Sequence, residues 1–163
     1  MRTYFLRVGA ALTVVLALSS ALATPAPLTA RPGWAVKETG YSFDALSERL
    51  DKAVDAANMN LVNSASASQG AKAQGIVIPG NRVVGVYRND FARRMLAASL
   101  AAGIEAPVRF YLTENADGHA TLAYRLPSDV FAPYFAEGGA PLQKLARELD
   151  GIFASIAAQA TAP

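Results

Sequence analysis

No cysteine occurs in the 163 residues, which excludes disulfide bridges, thiol redox chemistry and cysteine-ligated zinc. Histidine is nearly as scarce, His119 being the only one. A metal centre wants several ligands at set spacing, and none surround His119 in the sequence. A Ser-His-Asp triad would have to take His119 and Asp117 from one tight turn, with no G-x-S-x-G elbow to carry the nucleophile. The segment GAKAQG, Gly70 to Gly75, spaces its glycines as a phosphate loop does, but Ile76 and Val77 stand where a Lys and a Ser or Thr would be needed. No metal and no cofactor is expected. Glu48, Asp51 and Asp55 alternate with Arg49 and Lys52 along one helical stretch, which reads as a solvated face, not as a carboxylate cluster.

An excess of charge is also missing. The chain carries 15 Lys and Arg against 13 Asp and Glu, and two of the basic residues, Arg2 and Arg7, belong to an N-terminal targeting pattern. They flank the apolar run VGAALTVVLAL, Val8 to Leu18, and the small residues Ala21 to Ala23 follow. This is the layout of a cleaved signal peptide over residues 1–23. The apolar run ends short of the ~20 residues that span a bilayer; an uncleaved anchor is the alternative. No cysteine follows the cleavage site, which excludes a lipid anchor of the bacterial lipoprotein type. A mature chain from Thr24 has balanced charge and lacks the basic footprint of a nucleic-acid partner. It is expected in the periplasm or secreted, with no membrane span.

What remains is a chain rich in apolar residues, long enough for one domain with a core of its own. Residues 24–33, TPAPLTARPG, read as an extended leader, and residues 34–160 as a single domain. WAVKET (Trp34 to Thr39) alternates as a strand. Phe43, Leu46, Leu50, Val54 and Ala57 recur at helical spacing, with Ser42 as N-cap and Tyr41 placed to staple onto Leu46. Met59 to Ser66 and Asn81 to Asn89 read as strands, separated by a small, polar, glycine-bounded segment. A helix follows from Asp90, capped by Asn89 or Asp90 and ended by Gly103. After a hairpin comes a short helical turn capped by Ser128. The break EGGAP then leads to the clearest apolar stripe in the chain, Leu142, Leu145, Leu149, Ile152, Phe153 and Ile156, with Pro141 at the first helical position. The order β-α-β-β-α-β-β-α predicts an α+β two-layer sandwich, with helices packed on one face of a largely antiparallel sheet.

The hairpin APVRFYLTENADGHATLAYRLPS, Ala106 to Ser128, fixes its own register. A loop of Ala116, Asp117 and Gly118 pairs Leu112 with Leu122 and Phe110 with Tyr124, and sets Gly118 where a G1 bulge needs a left-handed residue. The core face is then Val108, Phe110, Leu112, Leu122, Tyr124 and Leu126. The other face carries Arg109 opposite Arg125, with Tyr111, Thr113, Thr121 and Ala123 beside them. Like charges opposed on a sheet are unfavourable unless something compensates. A solvated face with acidic neighbours, a bound anion, or a contact in a homodimer would each do so.

Two segments, IVIPGNRVVGVYRNDFARRMLAAS and the hairpin, resemble the family known as domain of unknown function 302. Pro79, Asn89, Pro107, Arg109, Glu114, Asp117, Gly118, Tyr124 and Pro127 fall at its recurrent positions, and the likeness runs from about Tyr41 to Tyr134. Two departures stand out. Asn63-Ser64-Ala65-Ser66 replaces an Asp-His pair carried by many members, and YRND replaces an FGNP-like strand end, keeping only Asn89. The resemblance implies a compact α+β domain, often exported, with no established activity or catalytic residues.

The reading that follows is a non-enzymatic envelope protein that binds a small anionic ligand or an envelope partner protein. Arg109, Tyr111, Arg125 and Asn89 are the candidate ligand-binding residues: the guanidiniums would clamp a carboxylate or phosphate, and the other two would add hydrogen bonds. The alternative is a small enzyme acting on an anionic metabolite with Glu114 as general base.

Overall fold

The structure, a computed structural model, describes residues 27–163. The signal-peptide reading of residues 1–23 lies outside them. Along the chain run β1 (Trp34–Glu38), α1 (Phe43–Ala56), β2 (Asn60–Ala65), α2 (Ala67–Lys72), β3 (Asn81–Tyr87) and α3 (Asn89–Ala98). A 3₁₀ turn (Ala101–Glu105), β4 (Val108–Glu114), β5 (Ala120–Arg125), α4 (Pro127–Phe131), a second 3₁₀ turn (Ala132–Tyr134) and α5 (Phe135–Thr161) complete it. The strands form one antiparallel sheet in the order β1-β5-β4-β3-β2. The α+β sandwich expected from the pattern is the fold observed. No helix among the described residues is long and apolar enough to cross a membrane.

The core lies between the sheet and α1, α3 and α5. The alternation of β4 and β5 sends Phe110, Leu112 and Leu122 into it with no exposure at all. Phe153 of α5 comes down on them, its ring stacked on Phe110 with centroids 4.6 Å apart, and Tyr124 meets Phe110 edge-on at 5.1 Å. Burying an aromatic ring contributes about 1.5–3 kcal/mol, and aromatic pairing geometry adds roughly 0.5–1.5 kcal/mol. Leu46, Leu50 and Val54 of α1 fill the adjoining space. The hairpin register is the one the hydrophobic pattern dictates, Phe110 against Tyr124 and Leu112 against Leu122, with Gly118 at φ +81° in the loop and the Asn115 N–H donating to the His119 carbonyl at 2.7 Å.

Long-range polar contacts tie the layers. Arg49 of α1 donates to the carbonyls of Ala160 and Ala162 at 2.7 and 2.6 Å, and the Tyr41 hydroxyl donates to Ala162 at 2.5 Å. These cover carbonyls that a helix end leaves without partners. Arg82 of β3 reaches both oxygens of Asp51 in α1 at 3.0 and 3.1 Å and the Ser64 hydroxyl of β2 at 2.9 Å.

Helix ends differ most from the sequence reading. The segment after β2 is helical as α2, capped by Ser66, whose hydroxyl accepts from the Gln69 N–H. Neither Asn89 nor Asp90 caps α3: the cap is Arg88, and both residues lie inside the first turn. Nor does Gly103 end that helix, which stops at Ala98; the Ser99 hydroxyl then accepts from the Ala102 N–H and starts the 3₁₀ turn. Ser128 lies within α4 behind Pro127, and its N–H is satisfied by Asp150 of α5 at 2.9 Å. In α5 the expected break is a bend, Gly139 taking φ 55° and ψ −153°. Pro141 follows in the first turn of the longer arm, where a missing N–H costs no hydrogen bond.

Candidate ligand groove on the open sheet face

The face of the sheet away from α1, α3 and α5 carries the odd-numbered residues of β4 and β5, and it is not the uniformly wet surface that its arginines suggest. Thr121 and Ala123 have no exposure. The register explains this: Ala123 lies between Val36 of β1 and Tyr111 of β4, and Thr121 between Glu38 and Thr113. Small side chains flanked by larger cross-strand neighbours are covered without a helix above them. The Thr121 hydroxyl completes its bonding with the Asn115 side chain, at 3.0 and 3.1 Å.

Across this face runs a groove of about 520 Å³, lined from all five strands, with Ala67 of α2 and Val130 of α4 at its flanks. Its walls include Trp34, Ala65, Val83 and Tyr111, and Arg109 and Arg125 reach it from adjacent strands. The fold thus brings together three of the four candidate residues. Asn89 is not with them: it is the exposed first residue of α3, beside an Arg88–Asp90 ion pair of 2.7 Å. Arg88 holds the Asp90 carboxyl below the usual range through that hydrogen bond.

The two arginines have different surroundings. Arg125 donates from Nε and Nη2 to one oxygen of Asp129 in α4, at 3.2 and 2.5 Å. The Asp129 carboxylate occupies the space where a side chain on Gly33 would sit, and Gly33 has φ +73°, a conformation that glycine adopts without strain. Arg109 has no hydrogen-bonded or ionic partner among the described residues and stands beside Gly85 of β3, over which Asn63 and Pro107 are packed. Glu105 also lines the groove and accepts from the Tyr134 hydroxyl at 2.9 Å; that bond, with burial second, raises the Tyr134 pKa. Arg31 stacks over Trp34, 5.2 Å from the ring centre.

Glu114 is elsewhere. It takes the helix-facing side of β4, and its carboxylate accepts from the Gly80 N–H at 2.6 Å while its own N–H donates to the Gly80 carbonyl at 2.8 Å. That clamp fastens the loop before β3 to the end of β4, and Glu114 is not among the residues that line the groove. His119 donates its backbone N–H to Asp117 at 3.0 Å and sets Nδ1 3.1 Å from the other oxygen; these contacts lower the Asp117 pKa. Among the described residues no group of acidic, His or Cys side chains is arranged to hold a metal ion.

Sequence reasoning found the hairpin's share of the groove and missed Trp34, Ala65, Asn81 and Val83. These come from strands whose order was not legible. The available signal was Trp34 itself, the chain's single tryptophan, in an alternating strand.

An α+β domain with an antiparallel sheet covered by helices on one side and grooved on the other is the class these features define. The chain belongs to the family described as Domain of unknown function DUF302, whose sequence model matches residues 35–156, a span wider than the motifs alone indicate. A similar solved structure is the crystal structure of an uncharacterized conserved DUF302 protein from Bacillus stearothermophilus. It is 13% identical with a TM-score of 0.67, over 77% of this chain and 96% of that one, a likeness of fold. No curated protein matches the chain.

Proposed function

We propose that this chain is an exported, non-enzymatic binding domain that takes a small anionic ligand in the open-face groove, with Arg109 as the principal contact and Tyr111 and Arg125 beside it. The observation that carries this reading is the contrast between the arginines: Arg125 is matched to Asp129, whereas Arg109 lines a concave site with no acidic partner among the described residues. A guanidinium offers paired donors that fit a carboxylate or phosphate edge. The placement of Glu114 on the opposite face, already bonded to Gly80, supports binding over general-base chemistry. Export rests on the N-terminal pattern, and balanced charge supports a discrete ligand over a polyanion.

Calorimetric titration with acetate, inorganic phosphate and citrate tests the site. Binding is expected to weaken at least tenfold in Arg109→Ala at unchanged melting temperature, since bonds to charged groups contribute about 1.5–3 kcal/mol. Equal affinity in the variant removes Arg109 from the reading. N-terminal sequencing of protein from the cell envelope, expected to begin at Thr24, tests export.

A further inference from the structure

Building on that reading, we infer that the ligand is a monocarboxylate with an extended apolar body, not a phosphate or a multiply charged metabolite. Two observations carry this. First is the charge in and around the groove. The charged residues of its wall are Arg109, Arg125 and Glu105, with Asp129 paired to Arg125. Arg125 is neutralised by Asp129 at 2.5 Å, and Glu105 is already engaged by the Tyr134 hydroxyl. Among the described residues Arg109 is the guanidinium in the wall whose donors are uncommitted, so it is the one left for a ligand's single negative charge. A second negative charge on the ligand would meet Glu105 and Asp129.

The second observation is the rest of the wall. Trp34, Val83 and Tyr111 share the open face with Arg109, and Ala65 and Val130 close the sides. A groove of about 520 Å³ is far larger than acetate or phosphate needs and falls within the ~300–1,000 Å³ of ligand sites that bury most of a small molecule. An aliphatic chain along the apolar wall would remove water from it, while its carboxylate pairs with the planar donors of Arg109. Trp34 lines the same groove and is the chain's single tryptophan, so its fluorescence is placed to report occupancy there.

The experiment titrates the purified chain with acetate, hexanoate, octanoate and decanoate, kept below their micelle-forming range, and with inorganic phosphate, following Trp34 emission and heat. Affinity is expected to rise by up to about fourfold for each methylene that becomes buried. The Trp34 emission should change in step, and Arg109→Ala should weaken decanoate binding at least tenfold. Arg109→Lys is expected to fall between, keeping the charge without the paired donors. If acetate and phosphate bind as tightly as decanoate, and bind through Arg109, the apolar-body inference is overturned while the anion reading stands. Decanoate binding that ignores Arg109→Ala overturns both. If none of these monocarboxylates binds, the inference is equally lost, and any Arg109-dependent binding of phosphate then decides the anion reading separately.

Discussion

The carboxylate of Asp129 fills the space that a side chain on Gly33 would need, and from there it pairs with Arg125. A glycine ahead of the first strand thereby sets the charge of the groove. Gly33→Ala must adopt φ near +73° and displace Asp129. It is expected to cost about 1–3 kcal/mol and to break the Arg125 pair, lowering the urea midpoint. If the midpoint and the affinity for anions are both unchanged, the proposed linkage fails.

Glu114→Ala removes the acceptor for the Gly80 N–H at 2.6 Å. The expected loss is about 1–3 kcal/mol, read as a lower denaturation midpoint, with carboxylate binding in the groove unaffected because Glu114 takes the other side of β4. Loss of binding at unchanged stability would contradict this assignment.

Phe153→Ala deletes the ring stacked on Phe110. Truncations of this kind in a closed core cost about 3–5 kcal/mol, enough to unfold many domains of this size. Equilibrium denaturation of Phe153→Leu, a milder change, keeps the comparison measurable if the alanine variant does not fold.

Burial raises the Tyr124 pKa above its ordinary value, with Asp150 adding to the effect. The folded state therefore holds this proton more tightly than the unfolded one. The associated stability is complete below the unfolded tyrosine pKa, near 10, and is lost as pH rises through the folded value. Tyr124→Phe should flatten the alkaline limb of a stability–pH curve. A limb of unchanged slope would show that Tyr124 does not supply it.

The elements were legible where side chains alternate or recur. The pairing of Leu112 with Leu122 followed from the requirement that one face stay apolar, because a two- or four-residue loop would set Phe110 opposite Arg125 or Ala123 and mix apolar with charged residues on one face. Caps were less legible. Asn89 and Ser128 are good caps by type, but the chain enters those helices one or two residues earlier, and the Asp150 carboxylate, from a helix further along the sequence, accepts from the Ser128 N–H. The groove was legible only in the hairpin. Arg109, Tyr111 and Arg125 are near one another in one motif; Trp34 and Val83 join them because β1 and β3 flank the hairpin, and strand order depends on packing that no local pattern encodes.

The sheet order has a consequence for how the chain becomes this structure. β1, the first strand among the described residues, pairs there only with β5, and the Thr39 hydroxyl finds its acceptor 81 residues later at Ala120. Its partner strand does not exist until most of the polypeptide has been made, so the N-terminal strand waits unpaired while the β4–β5 hairpin assembles from close contacts. Distant pairings of this kind slow folding. A truncation anywhere before β5 therefore strands β1 without a ladder.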